Sequence, residues 1–205
     1  MVYQTKKRGK YKVPLILLAA GESRRMGTPK QLLTYNGSSL IRQAATEAIE
    51  SSCKPIVVVL GANGDRISRE INDLAVQITY NTCWQKGMSA SIATGIDTLL
   101  LMNIDLDAVV IALGDQPFVT SRVYNLLIER YYQNEVKAVA SSYSQTIGVP
   151  ALFDRVLIPE LLDMKQQGGA KQLLKQYSDR RFNLDLPEAA IDIDTPADYQ
   201  KLLKL

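Results

Sequence analysis

Leu17-Leu18-Ala19-Ala20-Gly21-Glu22-Ser23-Arg24-Arg25-Met26-Gly27-Thr28-Pro29-Lys30 is the stretch from which the rest of the chain can be read. An apolar segment, Val13 to Leu18, predicts a strand that runs straight into a loop with two glycines, a serine and three cations. Glycine lets backbone approach an anion closely and take positive φ. Successive loop N–H groups can then form an anion-binding nest. Arg24, Arg25 and Lys30 add charge at the same place, and arginine grips phosphate oxygens bidentately. The loop therefore reads as a polyphosphate cradle, the bland alternative being a basic surface loop. It is not a Walker A loop, because Gly27 is not followed by Lys-Ser/Thr. Nor does it hold the Gly-x-Gly-x-x-Gly fingerprint of dinucleotide folds.

Working outward, 205 residues suffice for one domain with a full core. A hydrophobic fraction of 46% with 22% charged residues is that of a globular protein. The longest apolar runs, such as Ile56–Leu60, are too short to cross a bilayer, and the first residues lack the apolar region of a secretory signal. There is no histidine, and the two cysteines, Cys53 and Cys83, form no Cys-x-x-Cys. His-based triads and ordinary zinc sites are thereby excluded. Free thiols in a cytoplasmic protein are the simplest expectation, with a single disulfide left open. Lys6, Lys7, Arg8, Lys10 and Lys12 make residues 1–12 a basic, mobile leader; removing those five from a formal net charge of +3 leaves −2. A nearly neutral body argues against a nucleic-acid partner.

Apolar runs alternate with helical patterns, the signal of an α/β fold. Strands are predicted at Val13–Leu18, Pro55–Leu60, Val76–Tyr80, Ala108–Leu113, Ala138–Tyr143, Gly148–Phe153 and Ala189–Asp194. Helices are predicted at Ser39–Ser51, Asp65–Asp73, Ser89–Met102, Ser121–Gln133, Val156–Met164, Ala170–Tyr177 and from Pro196 onward, with Ser39 and Thr120 as N-caps. The expected architecture is a doubly wound, mostly parallel sheet in one domain over residues 13–205. Its nucleotide half spans about 13–120 and its acceptor-binding half about 121–205.

Three further segments carry candidate chemistry. Gly114-Asp115-Gln116-Pro117 follows a predicted strand, where α/β sheets bind ligands. A carboxylate there suits Mg²⁺, which takes one or two protein carboxylates plus substrate phosphates; a turn or cap role is the alternative. Asp192-Ile193-Asp194-Thr195-Pro196 holds two carboxylates at i and i+2, which share a face if the segment is a strand. Paired like charges call for a neutralising partner; a helix start capped by Asp194 or Thr195 is the alternative. Gly87-Met88-Ser89-Ala90-Ser91 opens a helix and offers hydroxyls to a phosphate, ribose or base. Trp84 reads first as a packing residue.

The segment from Leu18 to Lys30 resembles the signature Leu-Ala-x-Gly-x-Ser-x-Arg-Met-Gly-x-x-Lys of the MobA-like nucleotidyltransferases, and every fixed position is met. Within that family the chain is most similar to the molybdenum cofactor cytidylyltransferases, from Leu15 to the final helix. The resemblance implies a Rossmann-like fold of the nucleotide-diphospho-sugar transferase type. It implies transfer of CMP from CTP to the terminal phosphate of the molybdopterin cofactor, with Mg²⁺ as cofactor and a molybdoenzyme receiving the product. Arg25, Lys30 and Asp115 would be catalytic, and Asp115 and Asp194 would hold the metal. Leu18, Ala19, Ala20, Gly21, Ser23, Arg24, Arg25, Lys30, Gly87, Ser89 and Ser91 would contact the nucleotide. Gln116, Gly148 and Pro150 would face the acceptor. Ala20 points to the cytidylyl branch, since guanylyl-transferring relatives tend to have glycine there. Two departures fall on the acceptor side. Val149 stands where relatives often have histidine or asparagine, with no arginine before Gly148. Gln166-Gln167-Gly168-Gly169-Ala170 lacks the acid of a Gly-Asp-x-Gly-Ala motif. A sugar- or alcohol-phosphate nucleotidyltransferase and a non-catalytic carrier of nucleotide or cofactor are the competing readings.

Overall fold

Val109, Val110 and Ile111 are fully buried, and so are Leu15, Ile16 and Leu17. Strands covered on both faces carry uninterrupted apolar runs, and these residues are the middle of the sheet. The computed structural model describes residues 12–164 and 169–204. The expected leader, apart from Lys12, lies outside the described residues, as do Gln166, Gln167 and Gly168. Lys12 itself pairs with Asp105 at the surface.

The chain runs β1 (Leu15–Ala19), a hairpin of β2 (Thr34–Tyr35) and β3 (Ser38–Ser39), then α1 (Leu40–Glu50) and β4 (Ile56–Leu60). It continues through α2 (Gly64–Ser68), β5 (Gln77–Tyr80), α3 (Met88–Leu101), β6 (Ala108–Leu113) and α4 (Ser121–Asn134). The second half holds β7 (Ala138–Tyr143), β8 (Thr146–Asp154), α5 (Ile158–Leu162), α6 (Gly169–Gln176), β9 (Arg181–Asp185) and α7 (Pro196–Leu202). Seven strands form one sheet in the order β5-β4-β1-β6-β8-β7-β9. Pairing is parallel except at β8, which runs antiparallel to both β6 and β7.

Alternation along β1 sends Leu15, Leu17 and Ala19 into the core beneath α1 and α4, and Ile16 and Leu18 into the core beneath α3, α5 and α6. A third, smaller cluster joins Met26 of the first loop to Leu40, Ile193 and Leu202. It is this cluster that draws the C-terminal segment back over the loop. Cys53 is buried and Cys83 exposed, both as free thiols. Among the described residues no helix is long and apolar enough to cross a membrane.

Several expectations need correction. Residues 189–194 are not a strand: a 3-10 turn covers Pro187–Ala190, and an irregular segment follows in which the Ile193 N–H donates to the Asp115 carbonyl at 3.4 Å. Of Asp192, Ile193 and Asp194 only Ile193 is buried, and a single apolar anchor mimics strand alternation. The last strand is instead β9, Arg-Phe-Asn-Leu-Asp, with Phe182 and Leu184 packed on the core. The helix expected over Asp65–Asp73 stops at Ser68 and breaks into turns. That expected over Val156–Met164 is a 3-10 turn at Arg155–Leu157 followed by α5. Ser39 and Thr120 occupy N-cap positions without capping through their side chains. Glu47 does that work for α4, accepting from the Ser121 N–H at 2.7 Å. Thr195 caps α7 in a reciprocal box with Asp198.

Helix α3 lies unusually close to the sheet because Gly95 has no side chain. A Cβ there would stand 2.6 Å from Ile16 Cγ2 and 3.1 Å from Val59 Cγ2. Overpacking of this kind costs about 1–3 kcal/mol. Gly95→Val should lower stability by that amount in denaturant unfolding; an unchanged midpoint would mean that the helix does not ride on Ile16.

Candidate active site

Strand β1 has β4 on one side and β6 on the other. The chain leaves β1 toward β4 and β5, then crosses back to β6, so the β1–β6 boundary is a topological switch point, where open α/β sheets bind ligands. A cavity of about 250 Å³ lies there, at the carboxyl ends of both strands. Leu18 and Ala19 line it from the end of β1, Ala20, Gly21 and Lys30 from the first loop, and Leu113, Gly114 and Asp115 from the end of β6. Gly87, Met88 and Ser91 close it from the start of α3, and Trp84 from the turn before it.

The loop is held by a residue that the motif does not mark. Gln31 is 2% exposed, and its amide donates to the carbonyls of Ala19 at 3.2 Å and Gly21 at 3.1 Å. Its Oε1 accepts from Ser23 Oγ at 3.3 Å, and Ser23 Oγ accepts from the Lys30 N–H at 3.1 Å. The Ala20 carbonyl accepts from the Ala62 N–H at 3.1 Å. In a trans peptide the N–H points opposite to the C=O. With three consecutive carbonyls taken by the protein, the N–H groups of Gly21 and Glu22 are turned the other way, available to a ligand.

Charge converges below the loop. The Lys30 ammonium pairs with Asp115 and, at 2.8 Å, with Asp194 Oδ1. Arg25 Nη2 meets the other oxygen, Asp194 Oδ2, at 2.6 Å. Burial alone would lower the Lys30 pKa; the charges and hydrogen bonds of Asp115 and Asp194 together outweigh it, and the pKa is raised. The hydrogen bond from Lys30 holds Asp194 below the usual carboxylate range, with Arg25 assisting. Asp192 behaves oppositely. The residue is exposed as a whole, but burial of its carboxyl group and the charge of Asp115 push it up to about 6, against the pull of Gln116 and Lys30.

Asp115 and Asp194 thus already seat one cation between them. Among the described residues no three acidic, thiol or imidazole groups gather at one point, so the protein offers a divalent ion two carboxylates at most. That donor set fits Mg²⁺, which keeps several waters and takes the rest of its shell from substrate phosphates.

The remaining candidates divide. Ser91 lines the cavity and accepts from Asn81 Nδ2 at 3.0 Å. Ser89 is buried behind it, near Gly169. Arg24 is exposed and turned to Glu22 at 2.6 Å. Gln116 is 2% exposed; its amide donates to the carbonyls of Ala189 at 2.9 Å and Val149 at 3.4 Å, and its Oε1 is buried without a partner. Gly148 lies under the Tyr143 hydroxyl, 2.4 Å from where a Cβ would stand, and the Pro150 carbonyl accepts from Ser141. These three belong to the β6–β8 side, outside the cavity lining. Gln31 and Gly61 carry no motif, and Trp84, read from the sequence first as a packing residue, lines the cavity. Gln31 leaves no periodic signal, Gly61 is one glycine after a strand, and Trp84 reads as core until its neighbours are known.

Comparison with known proteins agrees with this geometry. Residues 15–181 match the MobA-like NTP transferase domain. The chain is 28% identical over 197 residues to nicotine blue oxidoreductase of Paenarthrobacter nicotinovorans, covering 92% of this chain and 95% of the relative. It is 21% identical over 188 residues to the molybdenum cofactor cytidylyltransferase of Escherichia coli strain K12, covering 91% and 93%. In fold it resembles a nucleotidyl transferase from Methanothermobacter thermautotroptrophicus, with TM-score 0.78, 20% identity, and 94% and 96% of the two chains covered. With the domain model spanning most of its length and the charged cluster in place at the switch point, the chain belongs to the MobA-like NTP transferase family and is a nucleotidyltransferase.

Proposed function

We propose that the protein transfers CMP from CTP to the terminal phosphate of the molybdopterin molybdenum cofactor, releasing pyrophosphate. The observation that carries the transfer chemistry is the convergence of Lys30, Arg25, Asp115 and Asp194 under the Ala20–Lys30 loop. An oxygen of the acceptor phosphate attacks the α-phosphorus of CTP. The bond from that phosphorus to the α,β-bridging oxygen breaks, and the electron pair leaves with pyrophosphate. No side chain is a nucleophile, so catalysis consists of alignment and charge stabilisation.

On this reading the N–H groups of Gly21 and Glu22 cradle the β- and γ-phosphates, and Lys30 and Arg25 neutralise the charge that builds on the leaving group. Asp115 and Asp194 hold Mg²⁺, which when bound offsets phosphate charge and polarises the reacting centre. Gln116, Gly148 and Pro150 shape the acceptor side. The choice of cofactor as acceptor is supported by the Escherichia coli relative's name, and CTP by that name and by Ala20. The competing acceptors, a sugar or alcohol phosphate, use the same chemistry, and GTP would place the chain in the guanylyl branch. A carrier without catalysis has no need of the Asp115–Asp194 pair.

Melting temperatures with CTP, GTP, ATP and UTP, with and without Mg²⁺, should show the largest rise for CTP with Mg²⁺, since a ligand of the native state stabilises it in proportion to its affinity. A larger rise with GTP overturns the base assignment, and no rise with any nucleotide favours the carrier. Asp115→Asn should cut Mg²⁺-dependent turnover by about 10²-fold or more, the typical cost of one transition-state contact, with the melting temperature nearly kept; a near-normal rate removes Asp115 from the mechanism. Lys30→Met leaves Asp115 and Asp194 without the cation between them. Breaking a buried pair costs about 3 kcal/mol at the low end, so the metal-free variant should melt several degrees lower, and millimolar Mg²⁺ should recover part of the loss. Equal melting points for variant and wild type would deny Lys30 its place between the carboxylates.

A further inference from the structure

The cavity has an aromatic wall for which the charged cluster has no use. Trp84, the single tryptophan of the chain, opens the 3-10 turn Trp84–Lys86 and stands half-buried beside Ala20, Gly21 and Met88. Two devices fix it. A Cβ on Gly61 would lie 2.7 Å from both Trp84 Cβ and the Ala20 carbonyl oxygen, so only glycine lets the tryptophan turn close on the first loop. Asn81, 4% exposed, accepts from the Cys83 N–H at 2.9 Å and donates to Ser91 Oγ at 3.0 Å, which ties the same turn to α3. A large aromatic side chain held in this way, with part of its surface open to a cavity, suits a flat apolar partner.

We infer that Trp84 is the stacking platform for the nucleobase of the bound nucleotide, an inference that rests on the nucleotidyl-transfer reading. Its place in the fold selects the base rather than the acceptor. Trp84 follows β5 and packs against the end of β4, whereas Gly148 and Pro150 lie on β8. Strands β1 and β6 separate β4 from β8, a span of roughly 15 Å at about 4.8 Å per strand. With the acceptor on the β8 side and the reacting phosphorus near Asp115, at the end of β6, the side toward β4, where Trp84 stands, is the one left for the base. Stacking engages the π-face that every base has. Trp84 therefore supplies affinity and orientation, and choice among bases falls to polar neighbours such as Ser91, which accepts from Asn81 and keeps its own O–H to donate.

Because Trp84 is the only tryptophan, its emission reports on this wall alone. CTP with Mg²⁺ should quench it saturably, at the concentrations that raise the melting temperature. Inorganic pyrophosphate, which has phosphates and no base, should raise the melting temperature and leave the emission unchanged. Stacking on an aromatic side chain contributes about 1–3 kcal/mol per base, so Trp84→Ala should weaken CTP about 5- to 150-fold. Trp84→Phe, which keeps a flat face, should stay within about threefold of wild type. Undiminished pyrophosphate binding by the alanine variant shows that its loop is formed; if that binding is lost, the wild-type emission and the phenylalanine variant decide. Equal CTP affinity in Trp84→Ala and wild type, or equal quenching by CTP and pyrophosphate, overturns the stacking role while leaving nucleotide binding in place. If CTP, GTP, ATP and UTP change neither melting temperature nor emission, the nucleotide reading falls, and the stacking role with it.

Discussion

The ammonium of Lys30 joins three segments that are far apart in the chain. It sits at the end of the first loop, pairs with Asp115 beyond β6, and pairs with Asp194 just before α7. Without a cation at that point, the carboxylates of Asp115 and Asp194 would face each other uncompensated. Each partner is delivered by a different part of the fold. Strand β6 runs parallel to β1 and ends level with it, which puts Asp115 beside the loop. Asp194 arrives because Ile193 is buried with Met26, Leu40 and Leu202. The hydrophobic contact places the segment, and the ion pairs use the position.

That division of labour extends through the site. Packing sets distance: Gly95 lets α3 approach the sheet, and Gly61 lets the Trp84 turn approach the first loop. Polar side chains then set direction, with Gln31 turning the loop carbonyls inward and Asn81 holding Ser91. Buried polar groups are costly unless satisfied, and both amides reach partners on each side. The loop can keep one conformation without a ligand bound, which spares a nucleotide the cost of ordering it.

Much of this was legible in the sequence, for physical reasons that differ by region. Strands β1, β4 and β6 are covered on both faces, so their apolar runs are unbroken and hard to misread. The Leu18–Lys30 stretch was legible as a family signature because it fixes residue type at many adjacent positions, as the phosphate cradle proposed for it requires. Asp115 was legible because strand ends in α/β sheets are where ligands bind. The C-terminal region resisted. Arg181–Asp185 is an edge strand whose charged positions conceal Phe182 and Leu184, and Asp192-Ile193-Asp194 imitates a strand with one buried anchor. Gln31 and Trp84 act only through neighbours brought in from elsewhere, and no local pattern encodes that.

The charge arrangement also constrains how a nucleotide can enter. Lys30 and Arg25 are the cations that the proposed chemistry turns to the triphosphate, yet both are paired with carboxylates. A triphosphate without a metal ion would have to take them from Asp115 and Asp194, and leave both carboxylates uncompensated beside its own negative charge. On the proposed chemistry Asp115 and Asp194 would hold a divalent ion brought with the nucleotide, whose charge would compensate them and leave the Lys30 ammonium to the phosphates. On the proposed chemistry the site is thus in charge balance in two arrangements, one with Lys30 between the aspartates and one with the metal there. The half-filled combinations between them are the ones that Coulomb repulsion disfavours. Nucleotide and metal ion are therefore expected to bind as one complex, each raising the affinity of the other by linkage.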